Sequence, residues 1–257
     1  CDIYVNDAFS CSHRKQASIH KITKFAKKSY AGPLLKKEID AINLIIKNKK
    51  KPVTFIIGGS KVSTKINIIS NLLKKIDTLV IVGAMANNFI AFKGYNIGNS
   101  LIEKNTKTIV EKILKNANEN NCEVLIPQDC KVGTKFSGKS EHRQIDKVKE
   151  QEIILDIGIK TIELICKKID DSNTVLWNGP AGYFENNNFE QGTMSIAKKI
   201  SDNTKDKSLI SILGGGDTLS AVKKNKGKLS YTHLSTAGGA FLEYLEGKDL
   251  PGLSVLK

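Results

Sequence analysis

Short runs rich in β-branched and apolar residues alternate along this chain with longer stretches whose apolar side chains recur three and four positions apart. That alternation is the signature of a mainly parallel sheet covered by helices. Residues 53–57, 79–82, 123–126, 175–177, 209–213 and 232–234 read as buried or half-buried strands. Residues 64–75, 104–118, 160–168, 189–200 and 239–246 read as the covering helices. The expected fold class is α/β: a parallel six-stranded sheet with helices on both faces, a Rossmann-like three-layer arrangement, plus a remnant of a second α/β domain.

The remnant is residues 1–32. The chain starts at Cys1, runs at once into the strand-like Ile3-Tyr4-Val5, and reaches a turn-like boundary at Gly32-Pro33 before the alternation begins. It reads as a chain entered part-way through a domain, with Ile3, Tyr4, Val5 and Phe9 expected to lack sheet partners and to leave an exposed edge. Residues 33–46 join a proline near the start to helical spacing and precede the polar run 48–51, as a connector between domains would. Residues 131–150 are polar and poorly periodic, and are expected to form a loop or short irregular strands.

With 257 residues, 40% hydrophobic and 26% charged, the chain has the profile of an ordinary globular protein. No apolar run approaches the roughly 18 residues of a membrane span, and the N-terminus lacks signal-peptide regions, so a cytoplasmic monomer is expected. Cys1, Cys11, Cys122, Cys130 and Cys166 show no ligand-like spacing and are expected to be free thiols. The net charge of +14 comes from lysines spread along the chain, with Arg14 and Arg143 the only arginines, and no basic stretch carries interleaved aromatics. A nucleic-acid partner is therefore not expected.

In an open parallel sheet, ligands bind where strands end and loops lead into helix N-termini. Glycine-bearing motifs follow four of the strands. Gly58-Gly59-Ser60-Lys61-Val62-Ser63-Thr64-Lys65 matches neither a Walker A loop nor G-x-G-x-x-G. Its glycines would nevertheless let backbone approach a phosphate, with Lys61 and Lys65 projecting from one face. A tight turn followed by two solvated lysines is the alternative. Gly83-Ala84-Met85-Ala86 leaves room for a flat ring or a close helix. Trp177-Asn178-Gly179-Pro180-Ala181-Gly182-Tyr183-Phe184-Glu185 is a rigid turn between an amide and a carboxylate. Gly214-Gly215-Gly216-Asp217-Thr218 sets a carboxylate at a helix start, suited to Mg²⁺ on a nucleotide phosphate or to helix capping.

With 125–129 (Leu-Ile-Pro-Gln-Asp), 155–161 (Leu-Asp-Ile-Gly-Ile-Lys-Thr) and 235–239 (Ser-Thr-Ala-Gly-Gly), these motifs occur in the order and at the approximate spacings of the phosphoglycerate kinases. Tyr4-Val5-Asn6-Asp7-Ala8-Phe9 and Ser12-His13-Arg14 are similar to a segment near the end of that family's N-terminal domain. The resemblance spans residues 2–257. It implies the reaction ATP + 3-phosphoglycerate = ADP + 1,3-bisphosphoglycerate, in glycolysis, with ATP or ADP as substrate and Mg²⁺ as cofactor.

Residue by residue, the resemblance implies that Lys61 meets the transferring phosphoryl and Lys65 the nucleotide phosphates. Gly58, Gly59 and Ser60 form the phosphate loop, and Gly215, Gly216 and Thr218 donate at the phosphates, with Asp217 on the metal. Asn178 and Pro180 line the nucleotide pocket, Glu185 takes the ribose hydroxyls, and Gly83 lies along the adenine. Gly216 and Gly239 join Lys61 and Lys65 as catalytic positions, while Arg14 and its neighbour His13 face the acidic substrate. The implied organisation is 1–32 from the substrate domain, 33–48 an interdomain helix, 49–236 the nucleotide-binding domain, and 237–257 a hinge and returning segment. Val82, Ala84, Ile159 and Ala237 depart from the family pattern. Arg14 alone does not make an acidic-substrate site, so this chain is expected to be a fragment; the alternative function is a Mg-nucleotide-binding module without kinase turnover.

Overall fold

The computed structural model describes residues 1–47, 50–224 and 227–256. Asn48 and Lys49, part of the expected polar run and of the boundary at 48–49, lie outside the described residues, as does Lys257. The chain opens with β1 (Ile3–Asn6) and β2 (Lys28–Ala31), paired in parallel, followed by helix α1 (Pro33–Ile46). Then come β3 (Val53–Ile57), α2 (Ile66–Leu72), β4 (Thr78–Ile81), α3 (Ala86–Phe92), α4 (Lys107–Glu119) and β5 (Glu123–Leu125). Strands β6 (Asp129–Gly133), β7 (Glu141–Gln144) and β8 (Ile153–Ile157) interrupt the alternation. It resumes with α5 (Ile159–Asp170), β9 (Thr174–Asn178), α6 (Gln191–Asp206), β10 (Ile210–Gly214), α7 (Gly216–Lys224) and β11 (His233–Ser235). Helices α8 (Gly238–Leu245) and α9 (Pro251–Ser254) follow.

The main sheet has the six expected strands, all in parallel, in the order β11-β10-β9-β3-β4-β5. From β3 the chain first moves outward through β4 to β5, then returns to the other side of β3 and moves outward through β9 to β11. The direction reverses between β3 and β9, so their carboxyl ends flank the crevice where such sheets take ligands. Both faces of β3 are covered, which is why its sequence is an unbroken Val-Thr-Phe-Ile-Ile. Phe55, Ile57, Leu79 and Ile81 pack into the core that holds α1–α4 and α8; Ile56, Val80, Val175 and Trp177 face the core that holds α5 and α6.

Residues 129–157 are more ordered than their composition suggests. β6 pairs antiparallel with both β7 and β8, with a register irregularity at Lys131/Val132. β7 is Glu-His-Arg-Gln, exposed or half-buried, so no apolar alternation marks it. At the start of β6 the buried Asp129 carboxylate accepts from the Thr161 N–H at 2.9 Å and the Lys160 N–H at 3.0 Å, capping α5.

The first segment has more partners than expected. Ile3 and Val5 are exposed, but Phe9 is buried in the main core and meets Tyr244 of α8 edge-on, ring centroids 6.3 Å apart. The Asp7 carboxylate accepts from the Leu35 N–H at 2.8 Å, tying the segment to the first turn of α1. Asn6 Nδ2 donates to the Gly252 carbonyl at 3.2 Å, and the Gly252 N–H to the Ser12 carbonyl at 2.8 Å. The expectation that this segment lacks sheet partners is thus corrected: Ile3, Tyr4 and Val5 pair with Lys28, Ser29 and Tyr30 of β2, and Phe9 is covered by α8 rather than by a strand. All five cysteines are free, and among the described residues no helix is long and apolar enough to cross a membrane.

Candidate functional site

All four glycine-bearing loops lie at carboxyl ends of neighbouring strands, β4, β3, β9 and β10 in sheet order. Asn178 joins three of them. Its backbone carbonyl accepts from Gly58 N–H at 2.8 Å, its amide nitrogen donates to the Gly214 carbonyl at 2.8 Å, and its amide oxygen accepts from the Lys65 ammonium. The Gly179 N–H donates to the hydroxyl of the wholly buried Thr218 at 2.7 Å, so β9's loop is fixed to the first turn of α7 as well. Trp177 donates its indole N–H to the Gly179 carbonyl at 2.7 Å and closes this junction from below.

Close approach explains two of the glycines. Gly179, at φ +97°, lies against the backbone of Gly58, where a side chain would collide. Gly83, at φ +67°, would place a Cβ 2.9 Å from both Gly59 N and the Pro180 carbonyl. Together they bring β3, β4 and β9 loops to backbone contact.

Beside this junction is a cavity of about 290 Å³. Its lining includes Gly59, Ser60, Gly83, Pro180, Glu185 and Asp217 of the expected site residues. It also includes Ala84, from the motif expected to make room for a flat ring, and Asn87, Leu101, Phe136, Asp156 and Tyr183, none of which sequence reasoning places in a site. Phe136 and Tyr183 meet edge-on with ring centroids 5.3 Å apart. Tyr183 and Asp156 lie inside motifs that marked the family, whereas Phe136 sits in the stretch read as a loop or short irregular strands and Leu101 carries no local signal. Asp156 accepts from Gly192 N–H at 2.8 Å and Ile157 N–H at 2.9 Å, yet burial still pushes its carboxyl up to about 7.

Lys65 is half-buried, and burial pulls its ammonium down to about 8 against the opposing attraction of the Asp217 carboxylate. Lys61 is exposed and outside the cavity lining. The two lysines do not share a helical face, because the helix is entered only at Ser63, through a 3-10 turn over Ser63–Lys65 that leads into α2. Gly58, Asn178 and Thr218 adjoin the cavity through the hydrogen bonds above, and Gly215 and Gly216 through their place in the chain beside Asp217, without lining it. His13 and Arg14 are elsewhere, at the start of α8: a Cβ on Gly239 would lie 3.2 Å from His13 Nε2, which accepts a long bond, 3.5 Å, from Arg14 Nε. Of the departures from the family pattern, Val82 and Ala237 are buried, Ala84 lines the cavity, and Ile159 is exposed at the start of α5.

Comparison with known proteins gives a consistent picture. The family profile described as phosphoglycerate kinase matches residues 1–248. The chain belongs to the phosphoglycerate kinase family. It is 44% identical over 258 aligned residues to a phosphoglycerate kinase of Wolbachia sp. subsp. Drosophila simulans (strain wRi), covering 100% of this chain and 65% of that protein. It is 42% identical to one from Xanthobacter flavus with the same coverage. Among solved structures, phosphoglycerate kinase from Coxiella burnetii superposes with a TM-score of 0.91 at 40% identity, over 99% of this chain and 65% of that one. The Pyrococcus horikoshii OT3 enzyme gives 0.83 at 29% identity, covering 99% and 64%. The chain thus spans about two thirds, 65%, of the phosphoglycerate kinases it matches.

Proposed function

We propose that this chain carries the nucleotide side of the phosphoglycerate kinase reaction, ATP + 3-phosphoglycerate = ADP + 1,3-bisphosphoglycerate, and acts in the cytoplasm as part of glycolysis. The observation that carries the reading is the convergence of the four loops on one cavity whose lining holds both Asp217 and Glu185. In this reading residues 49–236 are the nucleotide domain, 33–48 the connecting helix, 1–32 part of the acidic-substrate domain, and 237–257 the hinge and returning segment.

Base and ribose occupy the cavity, with Gly83, Pro180 and Ala84 against the base and Glu185 accepting from the ribose hydroxyls. The phosphates lie toward Gly58, Gly59, Ser60, Gly215, Gly216 and Thr218. Lys65, drawn down by burial to about 8, stays mainly protonated at neutral pH, and phosphate oxygens beside it hold that proton more firmly, so its charge acts directly on the bound anion. In transfer, a carboxylate oxygen of 3-phosphoglycerate bonds to the γ-phosphorus as the bond from phosphorus to the ADP oxygen breaks. Lys61, Lys65, Gly216 and Gly239 face the moving group, and His13 and Arg14 the acidic substrate. The Asp217 carboxylate, in the cavity wall at the start of α7 and close enough to Lys65 to act on its charge, would hold a Mg²⁺ ion. Such an ion neutralises phosphate charge when bound.

A second reading, Mg-nucleotide binding without turnover, has its own support. Arg143 is spent on Glu141 and Glu152, at 2.8 Å from the latter, which leaves Arg14 as the arginine near the start of α8. Calorimetry with Mg-ADP beside a coupled kinase assay on the 257 residues separates the readings. Binding with turnover supports the kinase, binding alone supports the second reading, and no binding sinks both.

A further inference from the structure

The loop that follows Tyr183 has an anchor that none of the family motifs includes. Lys224, at the last turn of α7, sends its ammonium into residues 184–190 and donates to three acceptors there: the Phe184 carbonyl at 2.7 Å, Asn187 Oδ1 at 2.8 Å and Glu190 Oε2 at 2.7 Å. An ammonium has three N–H bonds, and here each has its own acceptor on one short stretch of chain. Lys224 and Glu190 keep 35% and 26% of their side-chain surface, so an isolated pair of this kind would contribute little. Three convergent bonds to one loop form a network, which holds geometry better than any single pair.

Position gives the network its meaning. Phe184 and Glu185 line the cavity, and so does Asp217, seven residues before Lys224 on the same helix. At 1.5 Å per residue the helix is a strut of about 10 Å with Asp217 at one end and the loop's anchor at the other. The loop's other ties run elsewhere: the Tyr183 N–H to the Leu155 carbonyl at 2.7 Å, and Asn186 Nδ2 to the Phe136 carbonyl at 2.7 Å.

We propose that Lys224 is a positioning residue of the nucleotide site: its three-point anchor fixes the loop bearing Tyr183, Phe184 and Glu185 to the helix bearing Asp217, and so sets how the ribose end of a nucleotide is held relative to its phosphates. The proposal rests on the nucleotide-binding reading given above. Lys224 does not touch the cavity itself, so it acts through Glu185.

The test titrates the 257-residue protein and its K224M and K224R variants with Mg-ADP and with Mg-2′,3′-dideoxy-ADP, which lacks the hydroxyls assigned to Glu185. The wild type is expected to prefer ADP by about tenfold, K224M to bind ADP about tenfold more weakly and to lose most of that preference, and K224R to restore both. Full ribose preference in K224M overturns the proposal, even if its overall affinity or stability falls. Should K224M fail to fold, E190L removes the Glu190 acceptor from the other side and is expected to halve the preference or more; an unchanged preference there counts equally against the idea. Amide hydrogen exchange at residues 184–190 tests the anchor without nucleotide. Faster exchange in K224M supports it, and unchanged exchange refutes it. A wild type that binds neither nucleotide while its K224M variant exchanges faster refutes the nucleotide-binding reading and leaves the anchor standing.

Discussion

The Lys65 ammonium donates to the side-chain oxygen of Asn178, across 113 residues of sequence, and this bond links the loop after β3 to the loop after β9 at the point where the sheet reverses direction. Asn178 passes the link on to Gly214 through its amide nitrogen. Replacing it by leucine removes both bonds and takes the side-chain donor away from the buried Gly214 carbonyl. N178L is expected to lower stability by about 2 kcal/mol and to weaken Mg-ADP binding at least tenfold. Calorimetry and urea unfolding check it; wild-type affinity in a folded N178L would show that the junction does not shape the site.

The depressed Lys65 gives nucleotide binding a pH dependence. In the free protein this lysine titrates near 8, and phosphate beside it raises the value again, so binding takes up a proton above that pH. Mg-ADP affinity should hold steady below about pH 7 and fall as pH rises through 8 and 9. In K65M that slope should vanish along with most of the affinity. A flat profile for the wild type to pH 9.5 contradicts the assignment.

Asp156 predicts a second pH effect, on folding and in a lower pH window. Its folded value of about 7 lies above the 3.8 of an unfolded aspartate, so the native state holds the proton more tightly and loses stability as pH rises from 4 to 7. D156N removes the charge. Relative to wild type it should therefore gain stability by up to about 3 kcal/mol between pH 4 and pH 8. Urea unfolding at both pH values gives the difference, and an equal gap at the two ends refutes it.

Phe9 should matter to the whole molecule. It is buried against Tyr244 although it lies in the opening segment, and F9A is expected to cost about 3 kcal/mol. Removing residues 1–31 should likewise lower the thermal midpoint. An unchanged midpoint for either would mean that α8 is held without this contact.

Gly83→Ala is a sharper probe of the cavity. A methyl there meets Gly59 N and the Pro180 carbonyl at 2.9 Å on a backbone with φ +67°, so the β4 loop must retreat from its neighbours. Binding of Mg-ADP should fall by about tenfold or more, while the thermal midpoint drops by a few degrees. Unaltered affinity would separate the loop contact from nucleotide binding.

The main sheet was legible because its strands are buried on both faces and therefore announce themselves as apolar runs; Val53–Ile57 is found as read. The small sheet of β6, β7 and β8 was not, since Glu141–Gln144 is held by backbone pairing and by Arg143 bridging Glu141 and Glu152, which leaves no apolar period. For the cavity, glycines after strands were enough to find Gly59, Gly83 and the Pro180 turn. Leu101 and Phe136 reach the same wall only through tertiary packing, and Lys224 looks on paper like any of the chain's many solvated lysines. The helical spacing of Lys61 and Lys65 misled because spacing cannot tell where a helix begins.

Trp177 is the chain's single tryptophan, wholly buried, with its indole bonded to the carbonyl of Gly179. The chain therefore carries one indole fluorophore, directly beneath the turn where the loops converge. Its emission belongs to that place alone, so a shift of the Gly179–Pro180 turn is visible as a spectral change, without a label and against no background from any other indole.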